Sequence, residues 1–85
     1  MTPLHAEILL LLQPAREYGE GELRLLARLR MDGHRDLAIP ALEIALRELA
    51  DKSWAASFQS PLSGKRWRIT ALGISVLAEE GLSQP

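Results

Sequence analysis

The sequence predicts one α+β domain over residues 1–85, in which three helices are followed by a two-stranded β-hairpin and a C-terminal helix. Two patterns predict this class. Apolar residues recur at helical spacing in three segments of the first 52 residues, and they alternate with period two in two short runs between residues 54 and 70. A chain of 85 residues supports a single hydrophobic core, and 47% hydrophobic residues are enough to fill it.

The first helix is predicted over residues 4–13, LHAEILLLLQ, because apolar residues fall at helical spacing there and Pro14 ends the helix. Leu9 and Leu10 widen the apolar stripe, so this helix is expected to be buried on more than one side. The following segment, AREYGEG, is predicted to be a loop because its two glycines break helices.

The second helix is predicted over residues 22–31, with a leucine-rich apolar stripe formed by Leu23, Leu26, Ala27 and Leu29. Its acids come first and its arginines later, an order that suits the helix macrodipole. Residues 32–36, DGHRD, are predicted to form a turn. The third helix is predicted over residues 39–52 from apolar residues at Ile39, Leu42, Ala45, Leu46 and Leu49.

Two alternating runs predict hairpin strands near residues 54–59 and 65–70, joined by a loop that contains proline and glycine. Thr70 is a candidate N-cap for the last helix, and Gly81 is expected to end that helix.

The faces of the hairpin follow from the alternation. Period two places Trp67 on the core face of the second strand and Arg66 and Arg68 on the opposite face. Trp54 and Phe58 of the first strand are expected to lie in the core together with Trp67 rather than to form a stacking platform.

Two motifs between residues 42 and 81 carry a resemblance to a known family. ALRELADKSW, residues 45–54, is similar to a pattern "ALxxLxxxG-apolar", with Ser53 where glycine is usual. WRITALG, residues 67–73, is similar to "aromatic-Arg-apolar-Thr-x-x-Gly", with a helix beginning at Thr70. The chain therefore resembles a winged helix-turn-helix domain, and most closely the PadR-like and MarR-like bacterial regulators. The first half of the chain is less typical of them.

The resemblance raises two structural expectations. Gly73 is expected to let the last helix approach its neighbour closely. The connection from Met31 to Ile39 is longer than the tight turn between the two motif helices of the family. Either a short extra helical turn lies there or the second helix ends earlier than residue 31.

The resemblance also implies a DNA-binding surface, with the third helix in the major groove and the wing on the minor groove or the phosphates. The residues implied by position are Ala41, Ile44 and Arg47 of helix 39–52, and Ser63, Lys65, Arg66 and Arg68 of the wing, residues 59–68. A homodimer is implied as well, because one such domain makes few contacts with DNA. The surplus leucines of the first helix, or the last helix, are the candidate dimer surface.

The charge of the third helix departs from this pattern. Residues 36–52 hold four acids against two cations, and Glu43 and Glu48 are expected on the outward face beside Arg47. Attraction to phosphates supplies most nonspecific DNA affinity, so an acidic groove helix opposes binding. Two functions therefore stay open. One is a small DNA-binding transcriptional regulator of a bacterium or phage. The other is a winged-helix module, such as a phage accessory or inhibitor protein, that binds a basic protein partner and no DNA.

The basic residues outside the third helix also have two interpretations. The three cations of residues 53–70 fit phosphate contacts, and they equally fit a hairpin that is kept soluble by charge. Arg24 and Arg28 lie one helical turn apart and could add contacts to a DNA backbone. They could instead form exposed pairs with nearby acids such as Glu20.

Other function classes are not expected. The chain has no cysteine, which excludes disulfides and cysteine-ligated metals, and His5 and His34 are isolated in the sequence. No metal site or cofactor is therefore expected. No phosphate-binding loop or nucleophile motif occurs, so the protein is not expected to be an enzyme. The longest aliphatic run, residues 8–12, is too short to cross a membrane, and a cytoplasmic protein without a signal peptide is expected.

Overall fold

The computed structural model describes residues 1–62 and 64–81. Within them, three α-helices precede an antiparallel hairpin and a fourth helix, which confirms the predicted α+β class. Every predicted element lies within one residue of the observed one. The elements are α1 (Pro3–Leu12), a 3₁₀ turn (Arg16–Tyr18), α2 (Glu22–Met31), α3 (Ile39–Asp51), β1 (Ala55–Ser60), β2 (Gly64–Ile69) and α4 (Ala71–Glu79).

Helix α1 lies at the centre of the molecule. Ile8, Leu9 and Leu12 are fully buried, and the helix packs against α2, α3, α4 and β2. This confirms the expectation that its surplus leucines bury more than one side. Thr2 starts the helix, since its hydroxyl accepts a hydrogen bond from the His5 backbone N–H at 3.2 Å.

Helices α2 and α3 cover α1 with leucine stripes. The α3 stripe is buried as predicted, with Ile39 half-buried at its start. The α2 stripe consists of Leu25, Leu26 and Leu29, whereas Leu23 is 75% exposed. Leu26 and Leu29 are buried as predicted, whereas the inclusion of Leu23 and Ala27, which are both exposed, was wrong. The buried stripe is centred on Leu25 and Leu29, so Leu23 and Ala27 lie beyond its edge. The described residues 32–38 form turns without a helical segment, so α2 ends where predicted and no extra helical turn follows.

The register of the hairpin corrects one assignment. Ser57 pairs with Trp67 and Phe58 pairs with Arg66. Paired residues of an antiparallel ladder point to the same side, so Phe58 lies on the face of Arg66 and not on that of Trp67. The small residue Ala55 takes the buried position of β1 instead. Trp54, just before β1, is half-buried against the core.

The backbone at the end of α3 is one that glycine adopts more easily than serine. Ser53 has φ +62°, in the left-handed region. The Ser53 N–H donates to the Ala50 carbonyl at 2.9 Å, and the Trp54 N–H donates to the Leu49 carbonyl at 3.0 Å. These two bonds close the helix in a Schellman motif, whose left-handed residue is usually glycine. Here a serine occupies that position at a cost in backbone strain.

We expect Ser53→Gly to raise the free energy of unfolding by about 0.5–1 kcal/mol. Glycine removes left-handed strain of about 1–2 kcal/mol, which is partly offset by about 0.5–1 kcal/mol of extra entropy in the unfolded chain. Denaturant unfolding measures the difference. Ser53→Ala is the matched control, because it keeps the strained backbone and should change stability by less than about 0.5 kcal/mol. A less stable Ser53→Gly protein would contradict this account.

The start of α4 is fixed by two neighbouring segments. Thr70 caps the helix, with its hydroxyl accepting from the Gly73 N–H at 3.0 Å and donating to the Ser53 carbonyl at 2.6 Å. A Cβ on Gly73 would overlap the Trp54 carbonyl oxygen and lie 2.9 Å from Ile69 Cγ1. The predicted cap and the predicted close approach are both confirmed. Gly81 follows the helix with φ +71°, as its role at the C-terminus requires.

Candidate nucleic-acid interface

The exposed face of α3 has two unlike edges. Glu43 and Arg47, one helical turn apart, lie on the edge that faces the hairpin, where both line a groove with β2. Glu48 lies on the opposite edge, where its Oε1 is 3.0 Å from Nε2 of the buried His5 on α1. Ile44, 58% exposed, lies between the edges. The α3 residues assigned from the sequence to DNA contact (Ala41, Ile44 and Arg47) are therefore all at the surface.

The groove between α3 and β2 holds charges of both signs. Its volume is about 290 Å³, and it is lined by Glu22, Glu43, Arg47, Ala50, Lys65 and Trp67. Trp67 forms its floor: the residue is only 5% exposed, and its Nε1 donates to Glu22 Oε1 at 3.1 Å. The Lys65 Nζ lies 5.2 Å from the centre of that ring, which places a cation over its face. The groove thus presents polar and charged groups above a floor too buried to stack on a base.

Arg66 ties the loop before α2 to the hairpin. Its Nε donates to the Tyr18 carbonyl at 2.9 Å and its Nη2 donates to the Gly19 carbonyl at 2.8 Å. Beside these bonds, Glu20 and Trp67 exchange two backbone hydrogen bonds of 2.8 Å each. Arg66, which the sequence assigned to phosphate contact, is accordingly half-buried and has an architectural role in the structure.

Arg68 lies on the far side of the hairpin from α3. It is exposed and lines a cleft of about 590 Å³ together with Gln13, Pro14, Arg16, Glu17, Ile69 and Ile74. The described residues include no ion pair to Arg68 or to Arg16, so the cleft presents two free guanidinium groups. Arg16 has φ +52°, a backbone conformation that non-glycine residues rarely adopt. Arg16 could not be identified from the sequence, because its neighbour in the cleft, Arg68, is 52 residues away and its own segment has no periodicity.

The two histidines hold α3 and the turn before it against α1. His5 contacts Glu48 as described, and His34 Nε2 lies 2.9 Å from Glu7 Oε2. Although the two histidines are isolated in the sequence, each therefore has a glutamate partner from a distant part of the chain. Among the described residues, no group of three or more histidines and acids is placed to hold a metal ion.

The other residues that the sequence assigned to possible DNA contacts lie on α2 and the wing. Arg24 forms an exposed pair with Glu20, with 3.5 Å between Nε and Oε2, as one of its two interpretations anticipated. Arg28 is exposed. Ser63, assigned to the wing contact, lies outside the described residues. Lys65 of β2 is exposed and borders the groove.

Comparison of the chain with protein-family models, with curated proteins and with solved structures finds no match. In the described part of the chain, none of the helices has the length and apolar character needed to cross a membrane.

Proposed function

We propose that this protein is a winged helix-turn-helix DNA-binding protein, a transcriptional regulator of the PadR-like or MarR-like type from a bacterium or phage. In this reading α2 and α3 form the helix-turn-helix, and the hairpin β1–β2 is the wing. The observation that carries the proposal is the placement of α3 beside the wing. Arg47 of α3 and Lys65 of the wing line one groove, and Arg68 is exposed on the other side of the wing.

The proposed contacts are of two kinds: those to base edges and those to phosphates. The apolar Ala41 and Ile44 suit thymine methyl groups in the major groove, and Arg47 is the α3 residue able to bridge guanine O6 and N7. Lys65 and Arg68 anchor phosphates on the two sides of the wing. Ser63 belongs to the same wing by position in the sequence.

Arg66 contributes to this function mainly through positioning. Two of its guanidinium nitrogens are bonded to backbone carbonyls of the loop before α2, so it holds the wing in place. Arg16 and Arg68 line one cleft beside Glu17, and a phosphate bound there would pair with either guanidinium.

We also propose that the protein acts in the cytoplasm as a homodimer, because one domain of this size contacts a single half-site. The surface of α4 supports this better than that of α1. Leu72 and Ile74 of α4 are 50% and 43% exposed, whereas the leucines of α1 are buried or half-buried in the core.

A second candidate function is favoured by a different observation. Along the exposed side of α3, Glu43, Glu48 and Asp51 outnumber Arg47. This charge suits a basic protein segment better than a phosphate backbone. Under this alternative the same fold is a protein-interaction module, and α3 binds a lysine- or arginine-rich partner.

The decisive experiment measures binding to a random-sequence duplex by gel shift over a series of salt concentrations. We expect weak but measurable binding by the wild type. Arg68→Ala should weaken it on every duplex alike and lower the log–log salt slope by about 0.9, because one phosphate contact is lost. Arg68 is chosen for this substitution rather than Arg66, because loss of Arg66 would also remove its hydrogen bonds to the loop before α2. Lys52→Ala removes an exposed cation at the C-terminal end of α3 that is assigned to no DNA contact. It changes the net charge equally and is the control that should leave the slope unchanged.

The double variant Glu43→Lys, Glu48→Lys separates the two functions. The wild type could bind no duplex even at low salt while this variant binds clearly. In that case, the acidic side chains of α3 prevent the protein from binding DNA. That outcome would contradict DNA binding and support the protein-interaction module. A pull-down with a polylysine or polyarginine peptide, followed by loss of capture in the double variant, would support the module directly.

A further inference from the structure

Glu43 and Arg47 lie on a different side of α3 from Glu48. Both line the groove toward β2, and they are separated by one turn of the helix. Glu48 instead faces α1 and is bonded to His5 at 3.0 Å. Of these two glutamates, Glu43 is therefore the one whose carboxylate is not held by a partner within the described residues.

The two side chains are chemically complementary to one kind of base pair. In the major groove, a carboxylate accepts a hydrogen bond from the N4 amino group of cytosine, and a guanidinium donates two bonds to guanine O6 and N7. Guanine and thymine present acceptors at their major-groove edges, so a carboxylate facing either of them would meet repulsion without a hydrogen bond. Glu43 would thus reject these two bases as well as select cytosine.

The spacing limits where the two bases can lie. Four residues of α-helix rise about 6 Å, and successive bases of one strand are about 3.4 Å apart. The two contacted bases are therefore no more than about two base pairs apart. Arg47 also offsets the charge of Glu43, because a glutamate placed four residues before an arginine is the favourable order on a helix. Lys65 adds a cation in the same groove.

We propose that Glu43 and Arg47 are a paired base reader, which selects cytosine through Glu43 and guanine through Arg47 within about two base pairs of each other. This inference rests on the proposed DNA-binding function. In this proposal, the acidity of α3 gives sequence selectivity. Glu43 lowers the affinity for most DNA sequences, and the affinity is higher only where the amino group of a base lies opposite its carboxylate.

The test is selection from a randomised duplex pool at low salt, followed by sequencing of the bound duplexes. The wild type should enrich cytosine and guanine at two positions, each by about fivefold or more. Glu43→Gln should exchange the cytosine for adenine, because an amide bridges adenine N6 and N7, and should leave the guanine unchanged. Arg47→Ala should lose the guanine and keep the cytosine. Glu48→Gln is the control and should keep both.

The selection experiment distinguishes failure of the paired base reader from failure of the proposed DNA binding. Binding by Glu43→Gln with the base profile of the wild type would overturn the paired reader and leave DNA binding standing. Absence of wild-type binding to every duplex would overturn both. Because Glu43 is exposed, Glu43→Gln is expected to fold normally. Circular dichroism of the purified variant, compared with the wild type, shows whether it does.

Discussion

Replacing Trp67 with alanine should lower the free energy of unfolding by about 3–5 kcal/mol, as truncation of buried large aromatic side chains does. Trp67 is 5% exposed and forms the floor of the groove between β2 and α3. Its removal leaves a cavity and deprives Glu22 Oε1 of the indole N–H donor. Denaturant unfolding followed by circular dichroism measures the loss.

The size of this loss is large compared with the whole stability of the domain. At about 0.05–0.15 kcal/mol per residue, 85 residues give roughly 4–13 kcal/mol. A variant that is already unfolded without denaturant would therefore agree with the expectation. Trp67→Phe, which keeps most of the buried ring but not the N–H, should lose clearly less. A loss below about 1 kcal/mol in Trp67→Ala would mean that the ring is not part of the core.

Gly19→Ala should lower the free energy of unfolding by about 2–5 kcal/mol, through two separate effects. The backbone at Gly19 has φ +68°, which costs an L-residue about 1–2 kcal/mol. An added Cβ would also overlap the Trp67 carbonyl oxygen and lie 2.9 Å from the Phe58 ring, and overpacking of this kind costs about 1–3 kcal/mol. Thermal or denaturant unfolding gives the total.

Gly64→Ala separates the two effects. Gly64 has φ +73°, nearly the same as Gly19, but a Cβ there would meet none of the described atoms within 4 Å. Its substitution should therefore cost only the backbone strain of about 1–2 kcal/mol. Equal losses in the two variants would show that the loop before α2 does not pack closely on the hairpin.

The elements could be predicted from the sequence because their signals are local. Helical spacing and period-two alternation arise within ten or so residues, and these patterns placed the ends of α1, α2, α3, β1 and β2 within one residue. The 3₁₀ turn Arg16–Tyr18 has no such pattern and was predicted only as a loop. The face assignment of Phe58 was wrong because alternation shows which residues share a face but not which face meets the core. Which face of the strand packs on the core depends on α1 and α3, which lie elsewhere in the sequence.

Some features of the candidate site could be predicted from the sequence and others could not. The exposure of Arg47 and Lys65 could be predicted, since it follows from the periods of a helix and a strand. The bonds of Arg66 to the loop carbonyls could not, because they join segments 47 and 48 residues apart and the loop has no pattern. For the same reason, the glutamate partners of His5 and His34 were not visible in the sequence.

The backbone pairing of Glu20 with Trp67 has a consequence for how the hairpin can associate. A two-stranded ladder has two outer edges, and each can in principle accept another strand. The outer edge of β2 is blocked at its middle by Glu20, whose N–H and carbonyl are both bonded to Trp67. No described segment pairs with the outer edge of β1, Ala55–Ser60. Strand addition, whether by a second copy or by an extended peptide, is therefore directed to β1 alone.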